Sequence, residues 1–290
     1  MPALLPSSDW TGLLPSPDLR ATAGAFSAQG SSHADNEDCE YISPKHDLFI
    51  VADGMGGHFA GEQASHFVVD ALAHELSRLE EYYHTPAEVK GLVRRALEEA
   101  HCLVVEMGDV LPQFRNARST VTLALLFGSR LFVAGVGDSR AYMLRQGSLE
   151  QLTHDGFSFE SQEAAGKLSS SVESTRSELQ THLRLKRLPV NQDIRVIDVR
   201  AKDRVLLCTD GVSDALADTD IRKILSSNRN CRLAARELVH EAVANGSSDD
   251  ATALVLDIAA VNLRETNHVP LWSRFTDLLF GAKAKAIAAG

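Results

Sequence analysis

Carboxylates recur along this 290-residue chain wherever an apolar run breaks. The run "LFIV" meets Asp53 in "VADGMGGHFAGE", with glycines at 54, 56, 57 and 61 close behind. "DNED" (35–38) brings Glu37 and Asp38 up to "CEYI", and "VAGVGDS" ends at Asp138. "LLCTDGVSD" carries Asp210 and Asp214, and "SSDDATALV" sets Asp249 and Asp250 just ahead of another apolar run. One aspartate beside Gly or Ser is an ordinary turn residue or helix cap. Five acidic deliveries to strand ends are another matter, because uncompensated carboxylates gathered together repel. Oxygen ligands without His or Cys suit hard cations, Mg²⁺ or Mn²⁺. A calcium-loop reading of "DNEDCE" fails, since its sixth position needs Gly and holds Glu40. Glycines around Asp53 let backbone carbonyls approach a cation and leave room for water and substrate. Two such ions bridged by one carboxylate, about 3.5–4 Å apart, acidify water and favour in-line attack on phosphorus.

These groups need a scaffold. Apolar residues recur at three and four over 60–79 (Ala64, Phe67, Val68, Ala71, Leu72, Leu76) and over 86–107 (Val89, Leu92, Val93, Ala96, Leu97, Ala100), which predicts two helices. Thr85 and Glu88 form a capping box for the second, with Pro86 in its first turn. A third helix spans about 231–244 and stops at Asn245-Gly246. Short strands are predicted at 119–127, 130–137, 140–152 (with a hairpin at Gln146-Gly147), 194–199, 204–208 and 252–258. Consecutive strands joined by tight turns make antiparallel sheets, and intervening helices cover them: an α+β layered class. Residues 155–192 carry no strong period and read as a functional or mobile segment.

The motifs "NED", "ADGMGGHFAGE", "GVGDSRAYMLRQG", "TDGVSD" and "DDATALV", in this order over about residues 21–259, resemble those of the 2C-type metal-dependent serine/threonine protein phosphatases, the bacterial branch above all. The resemblance implies a four-layer α-β-β-α sandwich, two antiparallel sheets flanked by helices, with metals in a cleft at one end. It implies that Asp53 bridges two Mn²⁺ or Mg²⁺ ions, that the Gly54 carbonyl binds the second, and that Asp210 and Asp249 hold the first. Glu37 and Asp38 would orient metal-bound waters, and Asp138 and Asp214, with Asp210, would offer a third metal position. Residues 155–192 would be the flap beside the cleft.

Three positions depart from that pattern. The family usually has Arg three residues before the Asn of "NED", as a clamp on phosphate; here it is His33. The position of a general-acid His in some members is Met55, which moves no proton. His58 is then the nearest candidate acid, with a capping or packing role as the alternative. The usual Asn after the last metal Asp is Asp250. None of these removes an expected metal ligand, so activity is expected.

The rest bounds the reading. A formal net charge of −10 argues against a nucleic-acid surface. Cys39, Cys102, Cys208 and Cys231 form no Cys-x-x-Cys pair; Cys102 and Cys208 lie in apolar runs as small buried hydrophobes. A reduced, cytoplasmic setting is expected, with no signal peptide and no apolar run of the length of a span. Residues 1–20, rich in Pro and Ser, read as an extended leader. Residues 260–290 are an extension whose "LWSRFTDLLF" forms a short amphipathic helix, docked on its own domain, a partner or a membrane surface. The expected function is hydrolysis of phosphoserine and phosphothreonine on proteins, opposing a cognate serine/threonine kinase. The alternative is a catalytically weak phosphoprotein-binding regulatory module on the same fold.

Overall fold

A computed structural model describes residues 19–45, 47–56, 59–77, 85–114, 117–156 and 194–260. His58, most of the 155–192 flap, most of the 1–20 leader and all of the 260–290 extension except Ala260 lie outside these residues.

Among the described residues, eleven strands fall into two antiparallel sheets. The first runs β2 (Asp38–Ile42), β3 (Leu48–Met55), β5 (Val121–Phe127), β6 (Arg130–Val136), β9 (Arg195–Asp198), with the two-residue β4 (Arg118–Ser119) on the end of β3. The second runs β1 (Leu19–Ala28), β11 (Ala251–Ala260), β10 (Arg204–Cys208), β7 (Arg140–Arg145), β8 (Ser148–Gln151). The helices are α1 (Phe59–Leu76), α2 (Pro86–Val110), a single turn α3 (Asp210–Ser213), α4 (Asp218–Ser227) and α5 (Cys231–Ala244).

Alternation along the strands makes the layers, because successive side chains point to opposite faces. In β3, Phe49 and Val51 pack with Met143, Val205, Leu207, Leu254 and Leu256 between the sheets. Ile50, one residue over, packs with Val68, Leu72, Val93 and Leu97 of α1 and α2 on the outer face. On the second sheet Leu206 and Val255 meet Leu238 and Val239 of α5 and Ile221 of α4. The order is therefore helix, sheet, sheet, helix, as the sequence leads one to expect.

Local signals hold where they are self-contained. The Thr85–Glu88 capping box forms on both sides. Gln146 and Gly147 take φ of 53° and 82°, the left-handed pair a two-residue hairpin needs. The chain leaves α5 through Gly246 at φ 96°. Other boundaries shift. The expected strand 119–127 breaks at Thr120, which turns both its backbone and its side chain onto Asp53. Helix α4 is absent from the sequence reading; its apolar side is only Ile221, Ile224 and Leu225. Cys102 is exposed rather than buried, because on α2 it falls off the stripe that includes Ala100 and Val104.

Candidate metal centre

Strand register gathers the acids. Asp38 opens β2 directly opposite Asp53 in β3, so both side chains leave the same face of the sheet. Asp138 follows β6 in the Gly137 turn. Asp210 starts α3 two residues past Cys208, and Asp249 lies two residues before β11. The sandwich thus delivers groups from both sheets to one end. Carboxylate oxygens of Asp53, Asp138 and Asp210 lie within 4.8 Å of one another. Ligand atoms of His33, Asp249 and Asp250 form a second group at the same spacing. A cleft of about 390 Å³ lies over both, lined by His33, Glu37, Asp53, Gly54, Met55, Asp210 and Asp249 among others.

The expected ligands Asp53, Gly54, Asp210 and Asp249 therefore share one cleft. Asp138, expected in a third position, sits with Asp53 and Asp210. Asp214 is exposed, one turn beyond Asp210, with Arg140 Nη2 3.8 Å away. Asp38 is buried; its Oδ2 accepts from Thr209 Oγ1 at 2.9 Å. Glu37 is buried too, and its backbone carbonyl accepts from Gly54 N–H and Ser65 Oγ.

The electrostatics are those of a site built for cations. Burial pushes the Asp38 carboxyl up to about 8, only partly offset by the Thr252 and Thr209 hydrogen bonds. Burial, then repulsion from Asp138, Asp249 and Asp214, pushes Asp210 up to about 7. Asp53 is raised well above the carboxylate range by burial and by Asp38, Asp210 and Asp249. Asp38 Oδ1 and Asp210 Oδ1 are buried with no hydrogen-bond donor among the described residues. Buried carboxylate oxygens without donors are costly, and a hard cation resolves that cost. The oxygen-only donor set at Asp53, Asp138 and Asp210 fits Mg²⁺ or Mn²⁺.

Gly54 has a different reason from the one its neighbourhood suggests. A Cβ there would come within 2.0 Å of the Gly61 carbonyl oxygen, and one on Gly61 within 2.2 Å of Glu37 Oε2. The glycines let β3, the first turn of α1 and Glu37 close up behind the acids. Sequence reasoning also missed the hydroxyl layer under them. Thr120 Oγ1 accepts from Asp53 N–H at 2.9 Å and pairs with Ser139 Oγ at 2.7 Å; Thr209 Oγ1 accepts from Thr252 N–H. The only signal was a Thr or Ser immediately beside a motif, in "CTDG", "STVT" and "GDSR".

The cationic groups are arranged unlike a simple clamp. Arg140 spends Nε on both Asp155 oxygens, at 2.8 and 3.0 Å. His33 Nδ1 lies 2.9 Å from Asp250 Oδ2 and 3.4 Å from Asp249 Oδ1. Burial opposes charge on the imidazole, but the Asp250 hydrogen bond and the fields of Asp250, Asp249 and Glu37 outweigh it and raise its pKa.

Comparison with known proteins adds the following. The chain matches the family profile described as Protein phosphatase 2C over residues 28–246. It is 35% identical over 248 residues to the serine/threonine protein phosphatase PstP of Mycobacterium tuberculosis, covering 84% of this chain and 46% of that protein. It thus spans about half the length of that relative. It is 28% identical over 214 residues to the serine/threonine phosphatase stp of Listeria welshimeri, 72% of this chain and 84% of that one. The crystal structure of the PstP catalytic domain in complex with two manganese ions superposes with a TM-score of 0.66 at 31% identity, over 83% of this chain and 99% of that one.

Proposed function

Since the chain belongs to the protein phosphatase 2C family, we propose that it removes phosphate from phosphoserine and phosphothreonine in proteins, using two Mn²⁺ or Mg²⁺ ions. The observation that carries this reading is the meeting of Asp53, Asp138 and Asp210 within 4.8 Å under an open cleft. The family's structure with two manganese ions and the names of both relatives support it.

Asp53, the Gly54 carbonyl, Asp210 and Asp249 would hold the two ions; Asp138 and Asp214 would serve a third. When bound, the ions supply Lewis-acid activation of water and neutralise charge on the phosphate. The chain's own residues do the rest. Glu37 and Asp38 orient water at the edge of the cation site, and Thr209 fixes the Asp38 carboxylate that does so. Thr120 and Ser139 hold the Asp53 backbone in place. His33, with Nδ1 committed to Asp250, has Nε2 left for a phosphate oxygen. Protonated, that nitrogen is a charge-assisted donor. Met55 lines the cleft without exchanging protons, and His58 is retained as a candidate acid.

A cognate serine/threonine kinase would supply the substrates, in the cytoplasm. Four free cysteines, three of them buried, support a reducing compartment. The same extension, 260–290, would dock on the domain itself, a partner or a membrane surface. The catalytically weak alternative is not favoured, because every expected acidic ligand is present. Turnover of a phosphothreonine peptide by the full chain with Mn²⁺, abolished by EDTA, is the expected result; peptide binding with no turnover would overturn it.

A further inference from the structure

Among the described residues, a second cavity, larger than the acidic cleft, opens at the other end of β10. It measures about 750 Å³, against about 390 Å³ for the acidic cleft. Strand β10 connects the two: Arg204 begins it, and Asp210 lies two residues past its last residue, Cys208. Six residue steps of extended chain from Arg204 to Asp210, at ~3.3 Å each, put roughly 20 Å between them.

The cavity is basic in an acidic protein. Its lining includes Arg145, Arg200, Lys202, Arg204 and Arg229 against two carboxylates, Asp203 and Asp257. Both carboxylates are taken. Arg145 donates to Asp203 at 2.8 and 2.6 Å, and Arg204 donates to Asp257 at 2.6 and 2.7 Å. Arg204 also donates to the Leu225 and Asn228 carbonyls, which ties α4 to the floor. Arg200, Lys202 and Arg229 are exposed, and their side chains make no ion pair or hydrogen bond among the described residues. Three cations unpaired among the described residues therefore share one concavity on a chain of net charge −10. The turn that presents two of them is held firmly: Arg200 N–H donates to Asp203 Oδ2 and Lys202 N–H to the Ile258 carbonyl. Lys202 sits at φ 76°, a conformation that favours Gly or Asn over lysine. Fold stability gives no reason to gather these charges, since like charges in proximity repel.

We propose that this cavity is a docking site for an acidic segment of the phosphoprotein substrates, remote from the phosphorylated residue; that the bound protein is a substrate rests on the function proposed above. Its volume suits several peptide residues rather than one carboxylate. Carboxylates on its floor and the overall negative charge disfavour long uniform polyanions such as RNA. At about 3.3–3.6 Å per extended residue, roughly ten residues link the two sites around the end of the sandwich. Tethering at the second site raises the effective concentration of the phosphoresidue at the first.

The test uses the full chain, a fluorescein-labelled peptide of eight glutamates, and the variant Arg200→Glu/Lys202→Glu/Arg229→Glu. Anisotropy at low salt should show binding to wild type that weakens at least tenfold in the variant and is unchanged by Asp53→Asn. Replacing the glutamates with phosphoserines in the Asp53→Asn background tells which anionic side chain is preferred; tighter binding of either supports the site. With Mn²⁺, a phosphothreonine peptide carrying the glutamate run ten residues away should show at least fivefold higher kcat/KM than one with a neutral run, in wild type only. The melting temperature and aryl phosphate turnover of the variant should match wild type. Equal binding to wild type and variant, no binding to wild type, or preference for an RNA oligonucleotide or anionic vesicles would overturn the site. Loss of aryl phosphate turnover in wild type would count against the catalytic reading alone, because the anisotropy measurement does not depend on it.

Discussion

His33 Nδ1 lies 2.9 Å from Asp250 Oδ2, so the two positions that depart from the family's usual Arg and Asn touch each other at the edge of the cleft. Asp250 is buried and also accepts from Gly30 N–H at 2.7 Å and Glu37 N–H at 2.8 Å. An Asn could offer only one acceptor oxygen to these three donors, and its amide would face an N–H. The carboxylate suits an imidazolium at 33, and it pins the whole 30–37 loop to the start of β11.

On the role proposed for His33, phosphate affinity depends on pH. The imidazolium of His33, the better phosphate donor, is lost as pH climbs past the imidazole's pKa, which Asp250 raises in the metal-free chain. KM for a small phosphate ester should therefore rise with pH in wild type between 5.5 and 8.5. His33→Ala should raise KM at low pH by an amount worth about 1–2 kcal/mol, with less effect on kcat. His33→Arg should lower KM at pH 8 and flatten the profile. Coincident curves for all three proteins would remove His33 from the phosphate site.

Metal ligation has a sharper signature. Asp53→Asn and Asp210→Ala should each reduce kcat/KM at least ~10³-fold, because the ions supply most of the charge stabilisation. Circular dichroism should stay native, since both substitutions remove a carboxylate from a repelling cluster. Wild-type turnover in either variant would break the assignment.

Stability without metal should fall as pH rises. Asp38 and Asp210 keep their protons to about pH 8 and 7 in the folded chain, while the unfolded chain releases them near 3.8. The folded state thus binds more protons across that window, and stability is lost on moving up through it. His33 contributes with the same sign, present below about 6.5 and lost above its raised pKa. Thermal melts in EDTA at pH 5 and pH 8 should show the lower melting temperature at pH 8. Mn²⁺ should stabilise more at pH 8, where its ligands ionise readily. In EDTA at pH 8, Asp210→Asn should melt higher than wild type by about 2–6 °C; a lower melt would contradict the raised pKa.

Gly54→Ala separates two reasons for one glycine. The substitution keeps the carbonyl, so ligation alone forecasts little change. Its Cβ would be 2.0 Å from the Gly61 oxygen, so packing forecasts a loss of about 2–3 kcal/mol in unfolding free energy. Urea unfolding in EDTA, away from any metal effect, reads the difference.

The acids, their order and the chemistry they imply were legible in the sequence, because strand periodicity, Gly and Asp at turns and the Thr85 capping box are local properties of a few neighbouring residues. The helices α1, α2 and α5 carried long apolar stripes and were equally plain. Short elements were not: α4 buries only Ile221, Ile224 and Leu225, and β4 is two residues that pair with Gly54 and Met55. What tertiary structure decided is which distant groups meet. The register of β2 on β3 sets Asp38 opposite Asp53, the pairing of β10 with β11 brings Thr209 to Thr252, and the packing of one sheet on the other brings Thr209 to Asp38 across 171 residues of chain. The His33–Asp250 contact and the basic cavity depend on the same long-range pairings. Residue types announce charge and hydrogen-bonding capacity, but strand register and sheet packing alone determine which charges are left without a partner.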